Sequence, residues 1–285
     1  VSSRTRRRDG VTRLLRAHTG LVYVFLYAPI ALVVLFSFNS GNFAADLEGL
    51  SLRWYSETWR DRFVLEALRN SIVIGLSSAT IATLFGVMAA LALQRVRGKL
   101  RRLYDALINV AIIIPGIVIG LATLVFFVAV FDWVNPWLAY LIGAGAPRLN
   151  LGLPTIIAAH SLFTMSIVIV IVRARIAGMD RSLVEASGDL YATPWRTFWQ
   201  VTMPQLRPAI MAGFLLAFTF SFDDFIVAFF VAGPNTTLPI YVFSSIRRGV
   251  TPKINAIATV TLAASLGFLF VVQVLLRRAR QERSV

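Results

Sequence analysis

The chain has 285 residues, 57% of them hydrophobic, a mean hydropathy of +0.73 and a formal charge of +14. The absence of cysteine excludes disulfides, thiolate metal sites and cysteine nucleophiles, and two histidines, His18 and His160, are too few for a histidine-based metal centre. The basic excess does not point to nucleic acid, because the arginines lie in short stretches between long uncharged blocks, as in proteins that fix their orientation in a bilayer.

A membrane span needs about 20 mostly apolar residues to cross roughly 30 Å of hydrocarbon. Residues 1–20 carry six arginines and form a basic arm suited to a short helix on the anionic inner leaflet. The first apolar stretch, Leu21–Phe38, ends in aromatic residues and Asn39-Ser40-Gly41 without a small-x-small cleavage site, so it reads as a retained span. The segment 39–70 contains LSLRWYSETW and is long enough for a short helix along the outer surface.

Five further spans follow: Ser71–Leu93, Ala106–Phe131, Leu151–Val172, Pro208–Val231 and Ile254–Leu276. Strand-type alternation is absent, and small residues recur inside segments such as SSATIATLFGVMAALAL, where they let helices approach closely in lipid. The expected fold is an all-α bundle of six transmembrane helices. Pro115-Gly116 should break or bend the third span, either to line a cavity or with packing value only.

Twenty of the 28 lysines and arginines fall in the arm 1–20, the loops 94–103 and 173–207, and the tail 277–285. That bias predicts both termini and the 173–207 loop on the cytoplasmic side. Trp54, Tyr55, Trp59, Trp133, Trp137 and Tyr140 lie just beyond the outer span ends, where aromatic rings suit the interface. The organisation is a cytoplasmic arm 1–20, a six-span domain 21–276 that includes the loop 173–207, and a cytoplasmic tail 277–285, with no second domain.

The loop between spans four and five, RARIAGMDRSLVEASGDLYATPWRTFWQVTMPQLRPAI, has its own periodicity. Leu183, Ala186 and Leu190, then Phe198, Val201 and Leu206, predict two short amphipathic helices. Thr193-Pro194 suits the entry to the second, with proline at a first helical position, and Met203-Pro204 and Arg207-Pro208 should end it and start span five. Such helices either present a face to a partner groove or pack on lipid headgroups.

Span five alone carries charge. At 1.5 Å per residue from Pro208, Asp223 lies about 22 Å along it, past the midplane, where a carboxylate costs about 2.5–3.5 kcal/mol. Asp223 and Asp224 either meet a cation, with Phe220, Phe222 and Phe225 around them, or play a structural part. The structural alternatives are pairing with Arg247 or Arg248 and capping a helix break near Gly233-Pro234. His160, inside span four, reads as a packing histidine.

Glu185-Ala186-Ser187 with Pro204 in register resembles the EAA coupling loop of ABC importer permeases. Two positions depart from the family pattern: Ser187 stands for its second alanine and Tyr191 for its glycine, which leaves Gly188 as the nearby source of flexibility. The wider resemblance, through Arg53-Trp54-Tyr55, Ser221–Pro234 and Thr237–Thr259, is to the permeases of spermidine/putrescine importers. Close polyamine relatives often carry an acidic residue after the third-span proline, where this chain has Gly116.

The resemblance implies a type I ABC importer permease of the MetI-like kind in a bacterial inner membrane, translocating a polyamine and catalysing no reaction itself. It implies a coupling loop that includes Glu185, Ala186, Ser187, Gly188, Leu190, Tyr191, Pro194 and Pro204, and a solute path past Phe222, Asp223, Asp224 and Phe225. The implied partners are a homologous permease, two ATPase subunits and an external binding protein, with no nucleic acid. ATP and Mg²⁺ would belong to the ATPase partner, since this chain has no phosphate-binding loop. A permease of the same build for an amino acid derivative, ferric ion or sugar is the alternative within the class, and an ion-coupled carrier the alternative outside it.

Overall fold

The computed structural model describes residues 2–43, 46–143 and 145–281, with side chains described within 12–267. Its helices are α1 (Ser2–Ser37), α2 (Arg53–Arg60), α3 (Arg62–Ala92), α4 (Gly98–Ile113), α5 (Gly116–Ile142), α6 (Leu153–Ala177), α7 (Ser182–Asp189), α8 (Pro194–Thr197), α9 (Met203–Asp223), α10 (Ile226–Val231), α11 (Leu238–Arg248) and α12 (Pro252–Gln281). No strand occurs among the described residues; Asn39 and Leu50 form one isolated bridge. The all-α expectation holds.

Five helical segments among the described residues are long and apolar enough to cross a membrane: Thr12–Ser37, Arg62–Ala92, Gly116–Ile142, Leu153–Ala177 and Pro194–Asp223. The sixth expected span, 254–276, lies in α12, and its side chains beyond 267 fall outside the described residues. The basic arm is not a separate helix, because α1 runs unbroken from Ser2 to Ser37. Of the tail, α12 continues to Gln281, and residues 282–285 lie outside the described residues.

The third span differs from its sequence-based bounds. Pro115 breaks the helix as expected, with Ile114 and Pro115 both extended at ψ near 135°, 133° and 136° respectively. The break falls at the start of the membrane-length helix rather than within it. The segment before it, α4, carries Lys99, Arg101, Arg102 and Asp105, whereas α5 runs 27 residues to Ile142, about 40 Å at 1.5 Å per residue. Trp133, Trp137 and Tyr140 therefore belong to the last turns of α5, where all three are exposed.

The chain divides into two compact units. One comprises residues 1–62 and 242–285. Here Asn39 is fully buried and organises the outer loop: its amide donates to Phe43 O and Asp46 O, and its carbonyl accepts from Gly41 N and Glu48 N. The expected outer helix is α2, held by Trp54 Nε1 donating to Gly41 O and by a Tyr55–Ser37 hydroxyl pair at 2.6 Å. Lys253 forms an ion pair with Asp61 in the same unit.

The other unit, residues 63–241, is a packed bundle of α3, α5, α6, α9 and α10 with the loop helices attached. Lipid tails are as apolar as leucine, so close van der Waals contact has to hold such helices together. Val168 of α6 provides it on two sides. A Cβ on Gly86 of α3 would lie 2.9 Å from this valine, and one on Gly213 of α9 would lie 3.3 Å from it. Near the far end, Asn70 donates to Thr236 O, Ser71 Oγ accepts from Leu238 N and Thr155 Oγ1 donates to Val231 O. These bonds satisfy backbone groups that a broken helix leaves without partners.

Candidate functional site

The loop between α6 and α9 folds as a hairpin of helical turns. Asp180 accepts a hydrogen bond from Ser182 N at 2.9 Å and starts α7; that bond holds its carboxyl below the ordinary aspartate range. Helix α7 carries Glu185, Ala186, Ser187 and Gly188. It ends by a Schellman pattern, with Tyr191 N donating to Gly188 O at 2.9 Å and Ala192 N to Ser187 O at 3.1 Å.

The position that requires left-handed backbone is occupied by Tyr191, at φ 56°, the one non-glycine with positive φ among the described residues. The sharp bend survives without glycine, at a cost of about 1–2 kcal/mol for the side chain. Gly188 does not supply it. Ser187 also does more than fit: its hydroxyl meets Thr197 Oγ1 at 2.9 Å and ties the two arms of the hairpin.

Thr193 caps the second arm as expected, its hydroxyl accepting from Arg196 N at 3.4 Å with Pro194 at the first helical position. The expected stop at Met203-Pro204 does not occur. Pro204 lacks an N–H and its ring crowds the carbonyl four residues back, so the helix widens into a π turn over Phe198–Thr202. Met203 N reaches Phe198 O across it, and the helix continues through Pro208 into the membrane span. Leu206 consequently belongs to the bundle core, where it is fully buried.

No residue of α7, α8 or the π turn is buried. Leu183, Leu190, Tyr191, Trp195 and Trp199 are all exposed, Tyr191 at 95%. Uncovered apolar side chains of this kind suit contact with a partner protein or with lipid headgroups. Glu185 lines a cleft of about 630 Å³ beneath the hairpin, together with Arg95, Met179, Arg181 and Phe198.

The second candidate site is a break in the span itself. Helix α9 ends at Asp223, Asp224 is extended at φ −71° and ψ 121°, and α10 begins at Ile226. Asp224 Oδ2 accepts from Ala228 N at 3.0 Å, which caps α10. The same oxygen stands 3.3 Å from His160 Nε2, within ion-pair range but without hydrogen-bond alignment. The other imidazole nitrogen, Nδ1, lies 2.8 Å from Ser221 Oγ.

His160 is 1% exposed, as a packing histidine is, and its ring also touches Ser221 and Asp224. An ionisable side chain inside a span is a signal in itself, and the residue could have been singled out on that ground. The expected cap near Gly233-Pro234 is not made by either aspartate among the described residues; Asp224 instead accepts from Ala228 N at its own break. The side chain that faces Asp224 is His160; Arg247 and Arg248 belong to the other compact unit.

Asp223, one residue away, is exposed and has no polar partner among the described residues. The aromatic residues expected around the carboxylates pair along their own helices: Phe222 stacks on Phe218 at 5.7 Å and Phe225 packs against Phe229 at 5.4 Å. The two helix breaks adjoin. Gly116, at the start of α5, sits against Ile226 at the start of α10, and a Cβ on Gly120 would lie 2.6 Å from Phe230. It is Gly120 that the close packing requires; a Cβ on Gly116, where an acidic side chain was the polyamine-type expectation, would make only ordinary contact with Ile226 at 3.8 Å.

Residues 82–283 match the family model described as binding-protein-dependent transport system inner membrane component. The chain is 41% identical over 266 residues to the putrescine transport system permease protein PotI of Escherichia coli K12, covering 92% of this chain and 90% of that protein. It is 33% identical over 269 residues to the spermidine/putrescine transport system permease protein PotC of the same strain, covering 94% and 96%. Among solved structures, a bacterial ABC transporter involved in import of the acidic polysaccharide alginate superposes with a TM-score of 0.74 at 16% identity, over 95% of this chain and 96% of that one. The broken, small-residue-packed span, the exposed hairpin and the match over most of the length together establish that this chain is a transport subunit belonging to the family of inner membrane components of binding-protein-dependent transport systems.

Proposed function

We propose that this chain is one of two homologous permeases that form the path of an ATP-driven polyamine importer, with putrescine or spermidine as solute. The similarity to PotI and PotC, which extends over nine-tenths of the chain, is the observation that carries this reading. Asp223 is consistent with it: a carboxylate in a span with no polar partner among the described residues has to meet water, a partner subunit or a passing cation, not lipid.

An external binding protein delivers the solute, and a pair of ATPase subunits holds ATP and Mg²⁺. The hairpin from Ser182 to Thr197 docks on an ATPase, with Leu190, Tyr191 and Trp195 as its apolar contacts and Glu185 at the cleft behind them. Nucleotide-driven closure of the ATPases then pushes on the hairpin. The π turn transmits that push because one continuous helical rod joins Pro194 to Asp223. Both termini and the hairpin face the cytoplasm, as the arginine bias requires.

An ion-coupled carrier has no use for such a hairpin, and the exposed aromatic surface favours the ATP-driven reading over it. Uptake of labelled putrescine by the complex reconstituted with its partner subunits tests the proposal. Import of amino acid derivatives, ferric ion or sugars in place of polyamines would overturn the substrate class.

A further inference from the structure

Asp223 and Asp224 are adjacent in sequence, yet the fold treats them differently. Asp224 sits in the backbone break, receives the Ala228 N–H and faces the imidazole of His160. Asp223 closes α9, is exposed and has no polar partner among the described residues. On an unbroken helix the two side chains would simply diverge by about 100°. Here the break turns one carboxylate into the chain's own packing and leaves the other out.

His160 touches both sides of that break. Its Nδ1 meets Ser221, two residues before Asp223, and its Nε2 faces Asp224, one residue after. The Ser221 hydroxyl lies within hydrogen-bond distance of Nδ1, and Nε2 stands 3.3 Å from the Asp224 carboxylate, so one ring touches both flanks of the break. The ring is 1% exposed, and Phe163 packs edge-on against it at 5.6 Å, so it has little freedom to swing away. Because His160 belongs to α6, it registers the end of α9 against a neighbouring helix.

We propose that His160 is a positioning residue for the solute path: it holds Asp224 in the helix break as a structural cap, which leaves Asp223 as the carboxylate that meets an ammonium group of the solute. The proposal rests on the polyamine reading above. It assigns the two carboxylates separate jobs and gives the buried histidine a part in transport without contact to the solute.

The test uses the complete complex, reconstituted with its partner permease, ATPase and binding protein, at saturating binding protein. Putrescine imported per ATP hydrolysed is the readout, and complex assembly is followed by gel filtration. Asp223→Asn should lower that ratio by about tenfold or more, as expected for loss of a hydrogen bond to a charged group. Asp224→Asn should lower it less than about threefold, because the amide carbonyl still accepts from Ala228 N and keeps its place beside His160.

His160→Ala should reduce the ratio strongly, and His160→Gln, whose amide nitrogen falls near the imidazole Nε2, should restore it to within about threefold of wild type. In the Asp223→Asn background, His160→Ala should add less than about a twofold loss, since a residue acting through Asp223 has nothing left to position.

Multiplicative losses in that double variant would overturn the positioning role. An Asp224→Asn variant as impaired as Asp223→Asn would overturn the division of labour while leaving the polyamine path standing. Wild-type import by both Asn variants would overturn the cation path and this proposal with it.

Discussion

His160 Nε2 on α6 stands 3.3 Å from Asp224 Oδ2 in the break between α9 and α10. The contact joins residues 64 positions apart, and it places the end of one span under the control of another. A carboxylate in this setting keeps its place only through such partners, because neither lipid nor bulk water replaces them.

His160→Leu removes the imidazole and leaves the partly buried Asp224 with only its Ala228 N–H. The variant should lose roughly 1–3 kcal/mol of stability, the cost of a polar group left without its partner. A lowered thermal midpoint of the purified complex checks this. The double variant His160→Leu with Asp224→Leu should recover part of the loss, because no orphaned charge remains.

The bend after α7 was legible in the sequence only in part. The spacing from Glu185 to Pro204 marks the loop, and Thr193-Pro194 marks its second start, but the usual glycine is absent and nothing in Leu-Tyr-Ala announces left-handed backbone. The hydrogen bonds from Tyr191 and Ala192 to Gly188 and Ser187 impose it. Pro204 misled for a related reason. Proline reads as a stop, yet a π turn absorbs it when the surrounding helix is anchored by a core residue such as Leu206. Pro115 carried its break openly, whereas the break at Asp224 has no local signature and faces His160 from another helix.

Tyr191→Gly should relieve the strain at φ 56° and slow amide exchange in residues 187–192 by an amount corresponding to about 1 kcal/mol. Tyr191→Val should speed exchange there, since β-branched side chains tolerate this conformation least. If Tyr191 is also an ATPase contact, Tyr191→Gly should at the same time weaken solute-stimulated ATP hydrolysis, so loop stability and coupling would change in opposite directions.

Gly233 has φ +55°, and an added Cβ would run into the backbone carbonyl of Leu151. Gly233→Ala should cost about 1–3 kcal/mol and lower the yield of assembled complex. Gly188→Ala, with open space around it and no positive φ, should be tolerated within about 0.5 kcal/mol. Comparable losses for both would show that the packing around Gly233 has been misread.

The orientation proposed from arginine bias is open to direct measurement, helped by the absence of native cysteine. A single cysteine at Glu48 should react with an impermeant thiol reagent added outside intact cells. One at Gly188 should react only after the inner face is opened. Labelling of position 188 from outside would reverse the assignment.

The central claim is that this chain forms the path of an ATP-driven polyamine importer, and transport itself is the direct measurement. Proteoliposomes carrying the chain with its partner permease and ATPase are loaded with ATP and Mg²⁺ and supplied externally with binding protein and labelled putrescine. Putrescine should accumulate against its gradient only when ATP is inside, and Glu185→Ala should reduce accumulation and stimulated hydrolysis together. Accumulation that persists without ATP, or a complex that hydrolyses ATP and imports another solute while ignoring polyamines, would contradict the claim.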